Sequence, residues 1–239
     1  MSLASEGEGN AGAGLRKADT DFSELLFRAC HDLRSPSRSI QTTAQLIARE
    51  PANTHLSEGL GIIIDNARRL DSLIDRLASY SIALQTEPAS FQPVRMDVCL
   101  RTALASLHGQ ISARNAGVAS RELPRVSGDA DRLTQLFEEL LGNALQHGRA
   151  QTPRIEIAAD QRGDEWLIGV RDNGGGIPEA SLERIFRPFE KLSAAHRAGC
   201  GMGLTICRVI VERHGGRLWA ESGRDSGAAF LFTLPVVSG

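Results

Sequence analysis

Aromatic residues are scarce in this chain of 239 residues, only 5% of the total. Its cores must be built from Leu, Ile, Val and Ala, which favours helices packed on helices over part of its length. An excess of one charge is also lacking: 27 Lys and Arg stand against 29 Asp and Glu, a formal net charge of −2. A generic electrostatic binder of nucleic acid needs a basic excess, so that class is excluded. No run reaches the roughly 20 apolar residues of a membrane span, and no signal-peptide core opens the chain. The four cysteines (Cys30, Cys99, Cys200, Cys207) include no pair at two-residue spacing. That spacing argues against a zinc cluster or a disulfide framework and fits a reducing cytoplasm. There is no internal repeat.

What is present divides into two parts, as the length allows. Residues 1–18, rich in Gly, Ala, Ser and Glu, read as a disordered tail or linker. From Asp19 a helical seam runs through Phe22, Leu26, Ala29, Leu33, Pro36, Ile40, Thr43 and Ile47 at alternating spacings of four and three. Pro51 and Asn53 break it. A second seam follows at Leu56, Leu60, Ile63, Ala67, Leu70, Ile74, Leu77, Ser81 and Leu84. Two seamed helices make a hairpin over 19–86 with an apolar stripe left to cover. A second copy would complete a four-helix bundle and a homodimer; packing of the hairpin on the rest of the chain is the alternative. Glu87 to Pro93 reads as a linker. Beyond it, over 93–237, amphipathic helices (about 97–114, 129–147 and 203–214) alternate with β-prone runs at Ile155–Ile157, Trp166–Val170, Arg217–Ala220 and Ala229–Leu234. That mixture predicts an α/β sandwich. The fold expected is thus α + α/β, a helical hairpin followed by a sandwich with a mixed sheet.

Three clusters carry chemistry. His31 falls two residues past the core position Ala29, on the outermost face of the first helix, with Asp32 beside it and Pro36 one turn on. A neutral imidazole is a competent nucleophile near pH 7, and a neighbouring carboxylate can hold the proton on its other ring nitrogen. The mid-helix proline costs about 3 kcal/mol, which points to a functional feature at that turn; a plain surface histidine is the alternative. The second cluster is glycine: Asp172-Asn173-Gly174-Gly175-Gly176-Ile177-Pro178 after a strand, and Gly199-Cys200-Gly201-Met202-Gly203-Leu204 before a helix. Bare backbone N–H groups at a helix's positive end suit a phosphate. The spacing is neither the dinucleotide fingerprint nor the lysine-bearing P-loop. The third cluster is an edge of helix 129–147, where Arg132, Glu139, Asn143 and Gln146 flank the stripe Leu133, Leu136, Phe137, Leu140, Leu141 and Ala144. An amide and a carboxylate one turn apart suit Mg²⁺ and its waters, and equally a solvated edge.

From about residue 19 to 236 this combination resembles the catalytic core of a sensor histidine kinase. The stretch Phe27 to Ile40, with His31-Asp32-Leu33-Arg34-Ser35-Pro36, is similar to the family's phosphoacceptor box, most of all in the phytochrome-like kinases. Asp131 to Ala144 resembles the N box. Asp172 to Pro178 and Gly199 to Ile206 resemble the two glycine boxes. Ile185-Phe186-Arg187-Pro188-Phe189-Glu190-Lys191 between them resembles the phenylalanine box, and His214-Gly215-Gly216 and Phe232-Thr233-Leu234-Pro235 resemble the ending. The resemblance implies a gyrase-like and heat-shock-90-like ATP-binding domain. It implies that His31 takes the γ-phosphoryl group of ATP, that Asp32 orients or deprotonates it, and that the group passes to an aspartate on the receiver domain of a separate response regulator. It implies that Asn143 binds Mg²⁺ and that Asp172 accepts a hydrogen bond from the adenine amino group. Gly174, Gly176, Gly199, Gly201, Gly203 and Leu204 would shape the phosphate contacts, with Lys191 near the γ-phosphate. Three residues depart from the usual pattern: Glu139 stands where an Asn is common, Gln146 where a Lys is common, and Ser35 where Thr or Asn is common. An upstream sensor domain outside this chain is among the implied partners; nucleic acid and membrane are not. Two other readings are a degenerate kinase acting as a dimeric scaffold and a plain ATPase of the gyrase-like type, the latter supported by Glu139.

Overall fold

The computed structural model describes residue 29 and residues 33–47, 56–147, 152–191, 200–222 and 227–237. The expected tail, the start of the first seam, His31, Asp32, the break at Pro51–Asn53 and Gly199 lie outside the described residues. The chain divides into two compact units, Met1–Asp75 and Arg76–Gly239.

In the first unit a helix, α1, spans 33–47 and stays helical through the buried Pro36. The second helix, α2 (Leu56–Leu84), begins in this unit, and its last turns from Arg76 onward belong to the other. The two pack as the expected hairpin. Asn66 Nδ2 donates to Ser39 Oγ at 3.3 Å, and Gly59 gives Ile47 the room it needs, since a Cβ there would lie 2.6 Å from Ile47 Cδ1. On α2, Gly59, Leu73 and Ala83 are buried and the seam residues Ile63, Ala67, Leu70, Leu77 and Leu84 are half-buried, while Leu56, Leu60 and Ile74 remain 37%, 45% and 55% exposed.

The second unit is a sheet covered on one face by helices. Five strands lie in the order β2 (Gly117–Ser120), β4 (Arg154–Arg162), β5 (Glu165–Asp172), β7 (Ala228–Pro235) and β6 (Leu218–Ser222). The β2–β4 pair is parallel and the others antiparallel, so the sheet is mixed. A short antiparallel ribbon, β1 (Gln92–Arg95) with β3 (Arg125–Gly128), stands apart. Period-two alternation turns Ile155, Ile157, Ile168, Val170, Phe230, Phe232 and Leu234 inward. Against them pack α3 (Met96–Ser106), α5 (Ala130–His147) and α6 (Gly203–Arg213), with α5 in the middle. The stripe expected on α5 is the centre of this core: Leu133, Leu136, Phe137, Leu140 and Leu141 are fully buried, and Phe137 meets Phe232 edge to face at 6.4 Å. The helix expected at 97–114 is broken at Leu107, and its second half forms a short α4 (His108–Ala113). No helix among the described residues is long and apolar enough to cross a membrane.

His214 ties these elements together. Its Nδ1–H faces the Ile210 carbonyl at 2.7 Å, and its Nε2 accepts from the Asp129 backbone N–H at 3.0 Å. Asp129 in turn caps α5, its Oδ1 accepting from the N–H groups of Asp131 and Arg132. The ring stacks on Phe91 at 4.4 Å, and Gly128 passes so close that a Cβ there would touch it at 2.8 Å. Both nitrogens are used by the neutral ring, and burial pushes its pKa below the ordinary histidine value. A proton on Nε2 would face the Asp129 N–H. The unfolded chain thus binds the proton more readily, so the contribution of His214 to stability is complete above pH ~6.5 and declines as pH falls below it. Thermal unfolding followed from pH 7.5 down to 5 should show a falling midpoint. The fall should be shallower in His214→Gln, which has lower stability throughout.

Candidate functional site

The candidate site gathers around the N-terminal end of α6 and the partly polar edge of α5. Gly203, the first residue of α6, is packed so closely that a Cβ on it would lie 2.6 Å from Glu139 Oε2. The second glycine loop thus meets the α5 edge, and any side chain at residue 203 would displace the Glu139 carboxylate. Gly201 adopts φ +79°, and a Cβ there would lie 2.7 Å from the Glu190 carbonyl oxygen. This close approach sets the second glycine loop against Phe189–Glu190, beside Lys191, whose side chain is exposed. Phe186, in the same segment, is fixed from α6: Thr205 Oγ1 donates to its carbonyl at 3.0 Å, and the Arg208 guanidinium lies over its ring at 4.4 Å. Leu204 is half-buried.

The carboxylates divide by environment. Glu139 is buried, and loss of water raises its proton affinity despite the opposing charge of Arg76, with which it forms an ion pair. Asp172 ends β5. Its Oδ1 accepts from Gly174 N–H at 2.7 Å and from Ala228 N–H at 3.3 Å, which folds the first glycine loop back over the strand end. The loop continues through Gly176, at φ +71°, to Ile177, whose N–H donates to Ser222 Oγ at 2.7 Å. Among the described residues, Oδ1 is the Asp172 oxygen so engaged; Oδ2 keeps its acceptor capacity.

Asn143 lies one turn after Glu139 on α5. Its Nδ2 is buried and has no hydrogen-bond partner among the described residues. An unmet buried amide costs about 1–3 kcal/mol, so the group is suited to something the protein does not itself supply. Amide oxygen and nitrogen exchange by a half-turn of the side chain, which makes the same position an oxygen donor suited to Mg²⁺. The described residues hold no group of three or more His, Cys, Asp or Glu placed for a metal. A single protein oxygen fits an ion held mainly by phosphates and water.

Of the residues singled out in the sequence, Glu139 and Gly203 are in contact, Asp172 and Gly174 are bonded, and Gly201 adjoins the segment that carries Lys191. Sequence reasoning missed Arg76 and Ser79, which reach α5 from the end of α2: Arg76 pairs with Glu139, and Gln135 Nε2 donates to Ser79 Oγ. It also missed Gly227, at φ +77°, where a Cβ would lie 1.8 Å from the Asp172 carbonyl oxygen. The Ser226-Gly227 turn signal was available for the latter. Nothing in the sequence links Arg76 to a residue 63 positions away.

Residues 128–238 match the family described as histidine kinase-, DNA gyrase B- and HSP90-like ATPase, and form an ATP-binding domain of that class. The chain is 33% identical over 226 residues to cyanobacterial phytochrome A of Nostoc sp., covering 93% of this chain and 29% of that protein. It is 32% identical to the alginate biosynthesis sensor protein KinB of Pseudomonas aeruginosa, covering 90% of this chain and 37% of that protein. It therefore spans about a third of the length of these relatives. The catalytic domain of the histidine kinase ThkA covers 61% of this chain at 28% identity with a TM-score of 0.54. A structure of ThkA in complex with the response regulator TrrA shares the fold over 99% of this chain and 68% of that one, with a TM-score of 0.71 at 22% identity. Residues 128–238 thus belong to this ATPase family, and the chain is similar in sequence and fold to histidine kinases.

Proposed function

We propose that this chain phosphorylates itself on His31 from ATP and passes the phosphoryl group to an aspartate of a response regulator's receiver domain, in the cytoplasm. The observation that carries the reading is the orphaned Asn143 amide one turn from Glu139, the residue against which the second glycine loop packs. In the first step an imidazole nitrogen of His31 attacks the γ-phosphorus, the bond to the bridging oxygen breaks, and ADP leaves with the electron pair. Asp32 orients the ring or takes the proton from its other nitrogen. Asp172 Oδ2 accepts the adenine amino hydrogen while Oδ1 keeps the loop closed. Gly174, Gly176, Gly199, Gly201, Gly203 and Leu204 shape the walls, and Lys191 adds positive charge. Asn143 would hold Mg²⁺, which when bound neutralises charge on the phosphates. The work is positioning and charge stabilisation, as in other phosphoryl transfers. Incubation with γ-labelled ATP tests it: protein-bound label should be lost in acid and survive base, whereas acid-stable label overturns the reading.

The domain boundaries that fit are a phosphoacceptor hairpin over 19–86 and a nucleotide domain over 93–237. A homodimer through the hairpin is supported by the apolar side chains left uncovered on α2, Leu56, Leu60 and Ile74. Charged residues at Ile63 and Leu70 should give monomers by sedimentation at micromolar concentration. A wild type that is itself monomeric there overturns the dimer. A second activity, slow Mg²⁺-dependent ATP hydrolysis, is favoured by one observation: Glu139, one turn before Asn143, is a buried carboxylate with raised proton affinity, suited to accept a proton from water.

A further inference from the structure

The end of α2 meets α5 through two rungs. Arg76 and Ser79 stand one turn apart on α2; Gln135 and Glu139 stand one turn apart on α5. Arg76 Nη1 pairs with Glu139 Oε1, and Gln135 Nε2 donates to Ser79 Oγ while its own Oε1 accepts from Arg132 Nη1. The other Glu139 oxygen, Oε2, lies against Gly203 at the positive end of α6. One oxygen of the carboxylate is thus held in the ion pair, and the other is packed against Gly203. Its side chain is only 15% exposed against 36% for Arg76, so the guanidinium reaches in from a wetter position to a carboxylate that has lost most of its water. Glu138 on the same helix also raises its proton affinity, and Glu139 in turn raises that of the buried Cys207 thiol on α6.

We propose that Arg76 is a positioning residue that withholds Glu139 from water activation, so that bound ATP is kept for transfer to histidine rather than hydrolysed. The proposal rests on the reading of Glu139 as a general base. In hydrolysis a water oxygen attacks the γ-phosphorus, the water proton passes to Glu139 Oε1, the bond to the bridging oxygen breaks, and ADP leaves with the electron pair. While Oε1 is paired with the guanidinium, the carboxylate is a weaker base, because a neighbouring cation favours its charged form. It is also turned toward α2. Loss of the guanidinium frees Oε1 and strengthens the base.

The test uses the whole chain carrying His31→Gln, so that ADP release reports hydrolysis alone, with nucleotide affinity measured for every variant. Arg76→Gln should raise hydrolysis about tenfold, a modest part of what a positioned base supplies. Arg76→Lys, which keeps the charge, should stay near the parent rate. Arg76→Gln combined with Glu139→Gln should fall to the rate of Glu139→Gln alone. Arg76→Met retains the packing of the stem and serves if the Gln variant loses nucleotide binding. Hydrolysis at or below the parent rate in binding-competent Arg76→Gln or Arg76→Met overturns the proposal, as does a rise that persists in the double variant. If Glu139→Gln leaves the parent rate unchanged, the general-base reading falls and takes the proposal with it. If Glu139→Gln lowers the rate but the Arg76 variants do not raise it, only the proposal falls.

Discussion

His31→Gln should remove all protein-bound phosphate while leaving the affinity for ATP within about twofold of the parent. A glutamine side chain is polar and of similar size, but its amide nitrogen has no available lone pair to attack phosphorus, so nothing replaces the nucleophile. The residues proposed for the nucleotide, Glu139, Asn143, Asp172 and Gly203, all lie in the unit Arg76–Gly239, which does not include position 31. The substitution should therefore separate binding from transfer. The measurement pairs acid-quenched and base-quenched label on gels with a fluorescent-nucleotide titration of the same preparation. Residual acid-labile label in the variant would place the phosphoacceptor on one of the other five histidines of the chain's six. Of the described histidines, His214 is a poor candidate, being buried with both nitrogens engaged.

The parts of the fold that were legible were those with a strong period. The α5 stripe from Leu133 to Ala144 repeats at helical spacing and every member is buried. The inward residues of β4, β5 and β7 alternate as expected of a sheet with one covered face. Legibility failed where tertiary contacts decide. The chain around Leu107, Gly109 and Gln110 carries no proline to announce a stop, yet the helix expected to 114 breaks at Leu107, whose ψ of 5° leaves the helical region. On α2 the heptad pattern marks the helix and a half-buried stripe, but not Gly59, which an apolar pattern leaves out and against whose bare backbone Ile47 packs. The strand order, with β7 inserted between β5 and β6, follows from long-range pairing that no local pattern encodes.

The site divides in the same way. Asp172 and the first glycine loop were readable together because the bonds that join them are local: the Asp172 carboxylate caps Gly174, two residues on. The contact between Glu139 and Gly203 was readable only as two motifs, since the sequence does not show them facing one another. Arg76 was not readable at all. It sits in a helix whose apolar pattern says only that it is off the seam, and its role arises from a carboxylate on a different helix. Buried charges need a partner, so a sequence with Glu139 beside a buried stripe implies that some cation exists, without naming it.

Asp172→Asn should cost ATP about 10²–10³-fold in affinity, the size expected when a buried donor meets a donor instead of an acceptor. The loop geometry explains why the loss is specific. Asn keeps an oxygen that can accept from Gly174 N–H and Ala228 N–H as Asp172 Oδ1 does at 2.7 and 3.3 Å, so the turn survives. The other atom changes from an acceptor to an N–H donor, directed at the adenine amino group's own hydrogens. Asn143→Asp should be comparably severe for a different reason. It replaces a buried neutral amide with a second carboxylate one turn from Glu139, adding like-charge repulsion to the triphosphate and a desolvation penalty. Titration calorimetry checks the affinities, and thermal unfolding with and without saturating ATP checks the fold. Each variant should unfold near the ATP-free parent and lose the upward shift that ligand binding confers. A variant that binds ATP normally would show that its residue lies outside the nucleotide site, and for Asp172 would leave the two backbone bonds as its whole purpose.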